Sequence, residues 1–359
     1  MGGVLVVGNL GYVGPVLMDH LVESSEGELL GFDAGFFSDG FIADQQDRMP
    51  VKCKQLYGDV RNLGGEIFEG IDSVVYLAAL SNDPIGKEFE SATFDINRAS
   101  ALNCAKLAKE RGVKSFVFAS SCSIYGAGGD EMRKEDAQLA PQTAYAHSKV
   151  GAEGDLKQLA GRDFTVTCLR FATACGFSPN MRLDLVVNDF VASAISIKSI
   201  KVLSDGSPWR PLIHVKDMAR AIDWGISRSQ DSGGAFLAVN VGRAENNFQI
   251  KDLANVVAKI MPGVNVNINQ SAMPDTRSYR VDFSLFSELA PGCELTFGLP
   301  EIVDDLYANL TDIGFSDAGF RSGPMIRLNH LRRLIADGLL SSDLYWCGEQ
   351  SLSAPVGRS

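Results

Sequence analysis

The stretch MGGVLVVGNLGYVG, residues 1–14, decides the fold of this chain. Residues 4–7 are apolar and β-branched, and the run is long enough for one buried strand. Residues 13–22 (VGPVLMDHLV) then predict a helix. Between strand and helix stand three glycines at a spacing of three residues: Gly8, Gly11 and Gly14. Such a turn lets the backbone approach a diphosphate closely, and the helix N-terminus offers N–H groups and a positive dipole end. The order strand, glycine turn, helix therefore predicts a dinucleotide phosphate site.

A second apolar run supports this interpretation. Residues 28–33 (ELLGFD) predict a strand that ends in Asp33, about 20 residues beyond the last glycine. A carboxylate at this position accepts hydrogen bonds from the hydroxyls of an adenosine ribose and repels a 2′-phosphate. Asp33 therefore favours NAD over NADP, and an ordinary solvated carboxylate at a strand end is the alternative interpretation.

Composition limits the possible partners. The chain has 359 residues, of which 45% are hydrophobic and 21% charged, and its net charge is −11. No dense basic run is present, so nucleic acids and anionic membranes are poor candidate partners. Seven cysteines are scattered without a C-x-x-C pair, which is typical of reduced thiols in a cytosolic protein. The N-terminus already forms the first predicted strand, which leaves no room for a signal peptide, and no apolar run reaches membrane-spanning length. We therefore expect a cytoplasmic protein without a nucleic-acid, membrane or metal partner.

Strands and helices alternate through the first half of the chain. The further predicted strands are residues 54–60, 71–79, 114–121 and 165–170, and the predicted helices are residues 91–111 and a helix that starts near Tyr145. Continuous apolar strands between helices favour a parallel sheet that is covered on both faces. The predicted fold class is α/β: a Rossmann-type doubly wound parallel sheet with a smaller α/β C-terminal substrate lobe.

The pattern becomes irregular after Cys175, and this change suggests a division of the chain. We expect residues 1–175 to form the NAD-binding domain, completed by about residues 236–261. Residues 176–235 and 262–359 are rich in turns and short helices, and we expect a substrate lobe and a C-terminal extension there. The tail from residue 341 is polar and predicted to be loose.

Three residues in the first half could carry out proton transfer. Tyr145 and Lys149 stand four apart in TAYAHSKVGAE, so on a helix their side chains share a face. A free tyrosine has a pKa near 10, and a neighbouring ammonium favours the phenolate that a base requires. Ser121 ends the predicted fifth strand in SSCSIYG, residues 120–126, and strand ends on this side of a parallel sheet face the cofactor crevice. Its hydroxyl could hold a substrate oxygen beside Tyr145, although most serine hydroxyls bind nearby backbone.

The order of the motifs resembles one known family. The glycine turn and the acid at the strand end are followed by GDVRN, YLAA, SSCSIYG, YAHSK, LRFATACG, RPLIHVKD and VNVG, at residues 58–62, 76–79, 120–126, 145–149, 169–176, 210–217 and 239–242. This series resembles the extended short-chain dehydrogenase/reductase family over roughly residues 1–300. Within that family it is similar to the branch that modifies nucleotide sugars, the UDP-galactose 4-epimerases and their relatives.

The resemblance implies a cofactor, a substrate and the residues that bind them. NAD would be held by Gly8, Gly11, Tyr12, Val13, Gly14, Asp33, Asp59, Val60, Leu77, Ala78, Ala79, Tyr145 and Lys149. A nucleoside-diphosphate sugar would be held by Ser121, Ser123, Arg182, Asn188, Arg210 and Arg280, with Arg277 as the alternative to Arg280. The catalytic residues would be Tyr145, Lys149 and Ser121. Helices 91–111 and 145–160 would pair with their copies in a homodimer. For each arginine alone, a surface salt bridge is the competing interpretation.

The implied activity is an NAD-dependent epimerase that oxidises a sugar hydroxyl, at C4, to a transient ketone. A nucleotide-sugar 4-dehydrogenase and a ketosugar reductase are the alternatives, and a non-catalytic NAD-binding scaffold is a remote one. A 4,6-dehydratase is less favoured, because the family's Asp-Glu pair is replaced here by Cys122 and Ser123, and dehydration needs an acid and a base.

Overall fold

The structure of the protein is a computed structural model that describes residues 2–24, 27–38, 53–127, 131–272 and 277–348. The strands are β1 (Gly3–Val7), β2 (Leu29–Asp33), β3 (Cys53–Tyr57), β4 (Ile71–Tyr76), β5 (Ser115–Ser121), β6 (Met132–Arg133), β7 (Thr165–Phe171), β8 (Thr173–Cys175), β9 (Ser199–Val202), β10 (Trp209–His214), β11 (Phe236–Val241), β12 (Asn247–Gln249), β13 (Asn265–Ile268) and β14 (Arg280–Val281). The helices are α1 (Gly14–Ser24), α2 (Asp83–Glu88), α3 (Glu90–Phe94), α4 (Ser100–Glu110), α5 (Ala144–Lys157), α6 (Val186–Ser196), α7 (Val215–Ser227), α8 (Ile250–Ile260), α9 (Ser284–Leu289), α10 (Leu299–Asp312) and α11 (Arg327–Ala336).

Seven of these strands form a parallel sheet in the order β11-β7-β5-β4-β1-β2-β3. The first strand is buried along its whole length, and its side chains alternate between the two faces. Leu5 and Val7 enter the core on one face, whereas Val4 and Val6 enter the core on the other. The strand order reverses direction between β1 and β4, which is where ligands bind in open α/β sheets. The predicted fold class is confirmed.

Helices cover both faces of the sheet. On one face lie α3, α4 and α5, whose small apolar residues, such as Ala105 and Ala152, pack on the strands. On the other face lie α1, α7 and α9, with Leu17, Ile222 and Phe286 among the buried residues. A third core belongs to a second lobe that contains α6, α8 and α10. Three small sheets complete the architecture: β12-β10-β8, β13-β9 and β14-β6.

Several elements differ from the sequence-based expectation. The helix predicted over 91–111 is interrupted by a π-helical turn at Asp95–Ala99, in which buried Asn97 accepts a hydrogen bond from the Leu80 N–H at 2.9 Å. Helix α7 lies on the main sheet beside α1, although its residues had been predicted to belong to the substrate lobe. Helix α8, predicted to return to the main sheet, packs in the second lobe. Each has one apolar face, and such a face does not specify which surface it covers.

The C-terminal segment is more ordered than predicted as far as residue 348. Leu340 and Leu344 are buried in the same core as α3, α4 and α5. The Trp346 indole donates a hydrogen bond to the Ala34 carbonyl at 2.7 Å. These apolar contacts outweigh the polar composition of the tail, so the expectation of a loose tail from 341 was wrong up to 348. Within the described residues, no helix is long and apolar enough to cross a bilayer.

Candidate active site

A cavity of about 1160 Å³ opens at the carboxyl ends of the parallel strands, between the sheet and the second lobe. It is larger than most pockets that hold one drug-sized ligand, which measure about 300–1,000 Å³. Its walls contain residues that follow β1, β2, β3, β4, β5 and β7, together with the starts of α6 and α11. The described residues contain no group of three or more histidines, cysteines or acids placed to hold a metal ion.

The glycine turn forms one wall of this cavity. Gly8 has a φ of +89°, and a Cβ there would lie 2.5 Å from the Ala78 backbone nitrogen. Gly11 closes the turn by donating its N–H to the Gly8 carbonyl at 3.2 Å, and Tyr12 and Val13 also line the cavity. Gly14 is outside the wall.

Gly14 acts on packing. A Cβ at this position would lie 2.1 Å from the Asn9 carbonyl oxygen, so only glycine lets the first turn of α1 pack against the preceding loop. The prediction had assigned Gly14 to cofactor contact. Gly14 is not among the residues that line the cavity, so its contact with the cofactor stays a prediction.

Asp33 lies in the wall at the end of β2. One carboxylate oxygen accepts the Leu10 N–H at 3.0 Å and the other accepts the Gly35 N–H at 2.7 Å. Burial raises the pKa of Asp33, although both backbone hydrogen bonds and the charge of Arg327 oppose this rise. Since each carboxylate oxygen has a further lone pair, Asp33 can still accept hydroxyl groups from a ribose.

The remaining predicted cofactor residues lie along the same wall. They are Asp59, Val60, Leu77, Ala78, Ala79, Tyr145 and Lys149. The Asp59 carboxylate also accepts the Arg61 N–H at 2.9 Å and thereby caps the short helical turn that begins at Val60. Bare backbone around Gly8, a carboxylate at the ribose position and a buried lysine fit a dinucleotide.

The three predicted catalytic residues meet at the cavity. Helix α5 begins after Thr143, whose hydroxyl accepts the Ala146 N–H at 3.2 Å, and it carries Tyr145 and Lys149. Ser121 ends β5 and lines the same cavity, and its side chain is close enough to Tyr145 to lower the pKa of that phenol. The Lys149 ammonium donates to the Ala119 carbonyl at 2.6 Å and lies 5.7 Å from the centre of the Tyr145 ring.

Burial moves the pKa values of this pair in opposite directions. It raises the pKa of Tyr145, and the neighbouring Ser121 side chain and the charge of Arg182 oppose the rise. It lowers the pKa of Lys149 to about 7, against the attraction of Cys168 and Glu153. The sequence had suggested Lys149 as the group that favours the phenolate; in the structure the largest opposing contributions come from Ser121 and Arg182.

A buried network holds α5 in place. Glu153, one turn beyond Lys149, accepts from the Arg170 guanidinium at 2.8 Å and from the Ser120 hydroxyl at 2.5 Å. Arg170 also donates to the Tyr125 hydroxyl at 3.1 Å. The network ties α5 to β5 and β7. Sequence reasoning missed it, because its members are far apart along the chain.

The cavity lining also contains the predicted substrate residues Ser123, Arg182 and Arg210. Arg182 is buried and donates to the Asp184 carboxylate at 2.8 Å and to the Ser81 hydroxyl at 2.7 Å. The Ser123 hydroxyl oxygen is buried without a hydrogen-bond partner in the described part of the chain. An unsatisfied polar atom on a cavity wall is a ready contact for a ligand.

Two predicted substrate residues lie outside the wall. Asn188 is fully buried, and its amide binds the Gly176 N–H at 3.0 Å and the Tyr12 hydroxyl at 3.1 Å. Arg280 places its guanidinium 5.1 Å from the Trp209 ring centre, whereas Arg277 lines the cavity and pairs with Asp83. Residues 277 and 279 share one side of an extended segment, so residue 280 faces the other side. The structure therefore favours Arg277 over Arg280 as a substrate contact. It places Asn188 in the core, where its hydrogen bonds hold Gly176 and Tyr12.

Comparison with known proteins identifies the family. The family model described as the NAD dependent epimerase/dehydratase family matches residues 4–242. A UDP-glucuronate 4-epimerase of Thermodesulfobacterium geofontis is 30% identical over 201 residues, which cover 54% of this chain and 59% of that relative. UDP-glucuronic acid decarboxylase 6 of Arabidopsis thaliana is 23% identical over 327 residues, or 86% of this chain and 89% of the relative. The structure of a Bacillus cereus UDP-glucuronic acid 4-epimerase with UDP-glucuronic acid and NAD superimposes with a TM-score of 0.75 at 19% identity, covering 87% and 99% of the two chains.

The family match covers well over half of the chain, so the protein belongs to the NAD dependent epimerase/dehydratase family. The predicted cofactor, NAD, and the predicted resemblance to nucleotide-sugar epimerases are confirmed at this level. The family contains epimerases and dehydratases of nucleotide sugars, and the relatives include a decarboxylase.

Proposed function

We propose that the protein is a nucleotide-sugar epimerase that oxidises a sugar hydroxyl, at C4, to a transient ketone and reduces it from the other face. The observation that carries this proposal is that Ser121, Tyr145 and Lys149 line the same cavity as the glycine turn, with the Lys149 ammonium 5.7 Å from the centre of the Tyr145 ring. NAD, when bound, accepts a hydride from the sugar carbon and returns it.

The side chains of Tyr145, Ser121 and Lys149 transfer the proton, orient the substrate and bind the cofactor. The Tyr145 phenolic oxygen takes the proton of the sugar hydroxyl and later returns it, which is general acid–base catalysis. Ser121 donates to the reacting oxygen and holds it beside Tyr145. Lys149 keeps its ammonium fixed on the Ala119 carbonyl and has two further N–H groups for the nicotinamide ribose.

The wall opposite the glycine turn suits a diphosphate and a sugar. Arg210 and Arg277 are the guanidinium groups that we assign to the diphosphate, because paired N–H groups bind phosphate oxygens at fixed geometry. Ser123 would supply its unpaired hydroxyl to the sugar. The substrate class is therefore a nucleoside-diphosphate sugar.

Dehydration has less support. Cys122, which stands where an acid is needed, is fully buried and donates its thiol to the Arg170 carbonyl at 3.1 Å. Burial raises its pKa well above the ordinary value, so the thiol is held neutral and away from the cavity. Neither Cys122 nor Ser123 can replace a carboxylic acid and its conjugate base in the loss of water.

Product analysis tests the proposal. The purified protein is incubated with nucleotide sugars that vary in base and sugar, including UDP-glucose, UDP-N-acetylglucosamine and UDP-glucuronate, with Tyr145→Phe as the control. An epimer of unchanged mass, formed by wild type and not by the control, is the expected result. Loss of water would identify the protein as a dehydratase, loss of carbon dioxide as a decarboxylase, and net accumulation of NADH as a 4-dehydrogenase.

We also propose a cytoplasmic homodimer with a cofactor part and a substrate lobe. All seven cysteines have free thiols, which suits a reducing compartment. The cofactor part would comprise the parallel sheet with its flanking helices, and the substrate lobe would comprise the core around α6, α8 and α10.

A further inference from the structure

The family match ends at residue 242, yet a later segment contributes to the cavity. Helix α11 begins at this wall, and four consecutive residues at its start line the cavity: Ile326, Arg327, Leu328 and Asn329. The helix is fixed to the loop after β2, because the His330 ring is hydrogen-bonded to the Phe36 carbonyl at 2.7 Å. Residues beyond the helix bind the loop after β3, where Arg61 donates to the Leu344 carbonyl at 2.7 Å. Both loops belong to the cofactor side of the cavity.

Arg327 is a buried cation with no ion-pair partner among the residues that the structure describes. Its residue is 3% exposed, and within the part of the chain that the structure describes no carboxylate lies at ion-pair distance from it. One nitrogen, Nη2, donates to the Asn180 side-chain oxygen at 2.6 Å, and the guanidinium lies 4.2 Å from the Phe37 ring centre. Its other nitrogens, Nε and Nη1, have no hydrogen bond among the described residues. A buried charge in this state is costly unless a ligand pairs with it.

The contacts of Arg327 place it at the end of the cavity that contains the glycine turn. Asn180, its partner, donates to the Leu10 carbonyl in the glycine turn at 2.6 Å and to the Phe37 carbonyl at 2.9 Å. Leu10 in turn donates its N–H to Asp33. Arg327 therefore lies beside the turn that receives the cofactor diphosphate, whereas Arg210 and Arg277 belong to the substrate wall.

The start of α11 adds a second attraction for an anion. No side chain caps this ten-residue helix, so the first N–H groups of the helix remain available beside Arg327. Burial, with Arg182 nearby, lowers the pKa of Arg327 to about 9, although the carboxylates of Asp184 and Asp33 oppose this fall.

We propose that Arg327 and the start of α11 bind the diphosphate of NAD together with the glycine turn. Removing a guanidinium contact to a charged ligand should weaken binding about 10- to 100-fold. The proposal rests on the family's cofactor and is independent of the proposed C4 epimerisation, because its test measures binding alone.

The test compares Arg327→Met, Arg327→Lys and wild type after removal of resident NAD. Dissociation constants are measured by calorimetry for NAD, ADP-ribose, UDP and NADP. Arg327→Met should weaken the binding of NAD and of ADP-ribose by the same factor and leave the affinity for UDP unchanged. Arg327→Lys should recover part of the lost affinity. Arg332→Gln is the matched control, because Arg332 is exposed on the same helix in an ion pair with Glu88.

Thermal unfolding separates this role from a structural one. Without NAD, Arg327→Met should be at least as stable as wild type, because it removes a buried charge that has no ion-pair partner among the described residues, while its stabilisation by NAD should be smaller. Unchanged NAD affinity would overturn the proposal. So would a loss confined to UDP, which would assign Arg327 to the substrate diphosphate, or a loss confined to NADP, which would assign it to a 2′-phosphate. Destabilisation of the NAD-free protein with normal NAD affinity would show a structural role only.

Discussion

At the scale of single residues, Tyr145 depends on its neighbours for reactivity. Burial raises its pKa, and Ser121 and Arg182 offset part of this rise. The phenol is therefore protonated at neutral pH in the NAD-free protein. A positive charge brought close to it would lower its pKa and favour the phenolate that a base requires.

Replacing Tyr145 tests this assignment. Tyr145→Phe removes only the phenolic oxygen, so folding and NAD binding should survive while turnover falls about 10²–10⁴-fold. Ser121→Ala should retain more activity, since it removes a positioning hydrogen bond and no proton acceptor. Lys149→Ala should lose activity and NAD occupancy together. Turnover of a confirmed substrate and the amount of bound NAD measure all three, and near-normal turnover by Tyr145→Phe would mean that another base operates.

Lys149 should make the stability of the NAD-free protein depend on pH. Its pKa is about 7 in the folded state, below its ordinary value, so between about pH 7 and pH 10 the unfolded chain binds more protons and stability rises with pH. The slope is up to about 1.4 kcal/mol per pH unit. The free energy of unfolding of Lys149→Met lacks this rise with pH. The stability of this variant relative to wild type, measured by urea unfolding, should therefore decrease from pH 7 to pH 9. Lys157→Met, an exposed position on the same helix, should show no such trend.

Asp33 should set the choice of cofactor. Asp33→Asn keeps an acceptor for the Leu10 N–H and removes the charge that repels a 2′-phosphate. The affinity for NADP should therefore rise relative to that for NAD. Dissociation constants of both cofactors measure the ratio, and an unchanged ratio would remove Asp33 from this role.

At the scale of elements, the strand–turn–helix unit depends on Gly8 more than on Gly11. A side chain at Gly8 meets the Ala78 backbone at 2.5 Å and a positive φ, whereas a Cβ at Gly11 is no closer than 3.3 Å to the Gly8 carbonyl. Gly8→Ala should lower the free energy of unfolding by at least about 1–2 kcal/mol. Gly11→Ala should lower the free energy of unfolding by less, and both variants should bind NAD more weakly than wild type. Urea unfolding of the NAD-free variants checks the order; equal losses would contradict it.

The elements that could be predicted are those whose sequence pattern determines both the type of secondary structure and the surfaces against which it packs. The parallel strands were predictable, because an apolar run between two helices is buried on both sides. Helices α7 and α8 were predicted with the wrong neighbours, since one apolar face fits either lobe. The meeting of Ser121, Tyr145 and Lys149 at one cavity was predictable from their spacing and the order of the motifs, and their catalytic role stays a prediction.

Contacts between distant segments were not predictable. Arg327 stands in RLNHLRRL, whose charges suggest a solvated helix face, and only the fold brings it beside Leu10. Asn188 lies near the expected substrate residues in sequence, yet the register of α6 turns it into the core. Burial and partner identity are set by tertiary packing, which no window of sequence contains.

At the scale of the molecule, the predicted homodimer would join the outer faces of α4 and α5. Gly154 is exposed on α5, and a side chain there meets nothing within 4 Å in the single chain. Gly154→Arg should therefore leave each chain folded and block helix pairing. Light scattering should give twice 38.6 kDa for wild type and for the control Gly292→Arg, an exposed loop position, but one chain for Gly154→Arg. A monomeric wild type at micromolar concentration would contradict the dimer.

The hydrogen bond from Trp346 to Ala34 joins residues that are 312 positions apart. A ribosome that adds about 5–20 residues per second needs tens of seconds to pass from one to the other. Throughout that interval the loop after β2 has emerged without its C-terminal partner. The sheet can form during translation, but the wall that contains Arg327 can close only after α11 has emerged. If Arg327 binds the dinucleotide as proposed, stable capture requires α11, and products cut short before this helix would have a cofactor site open on one side.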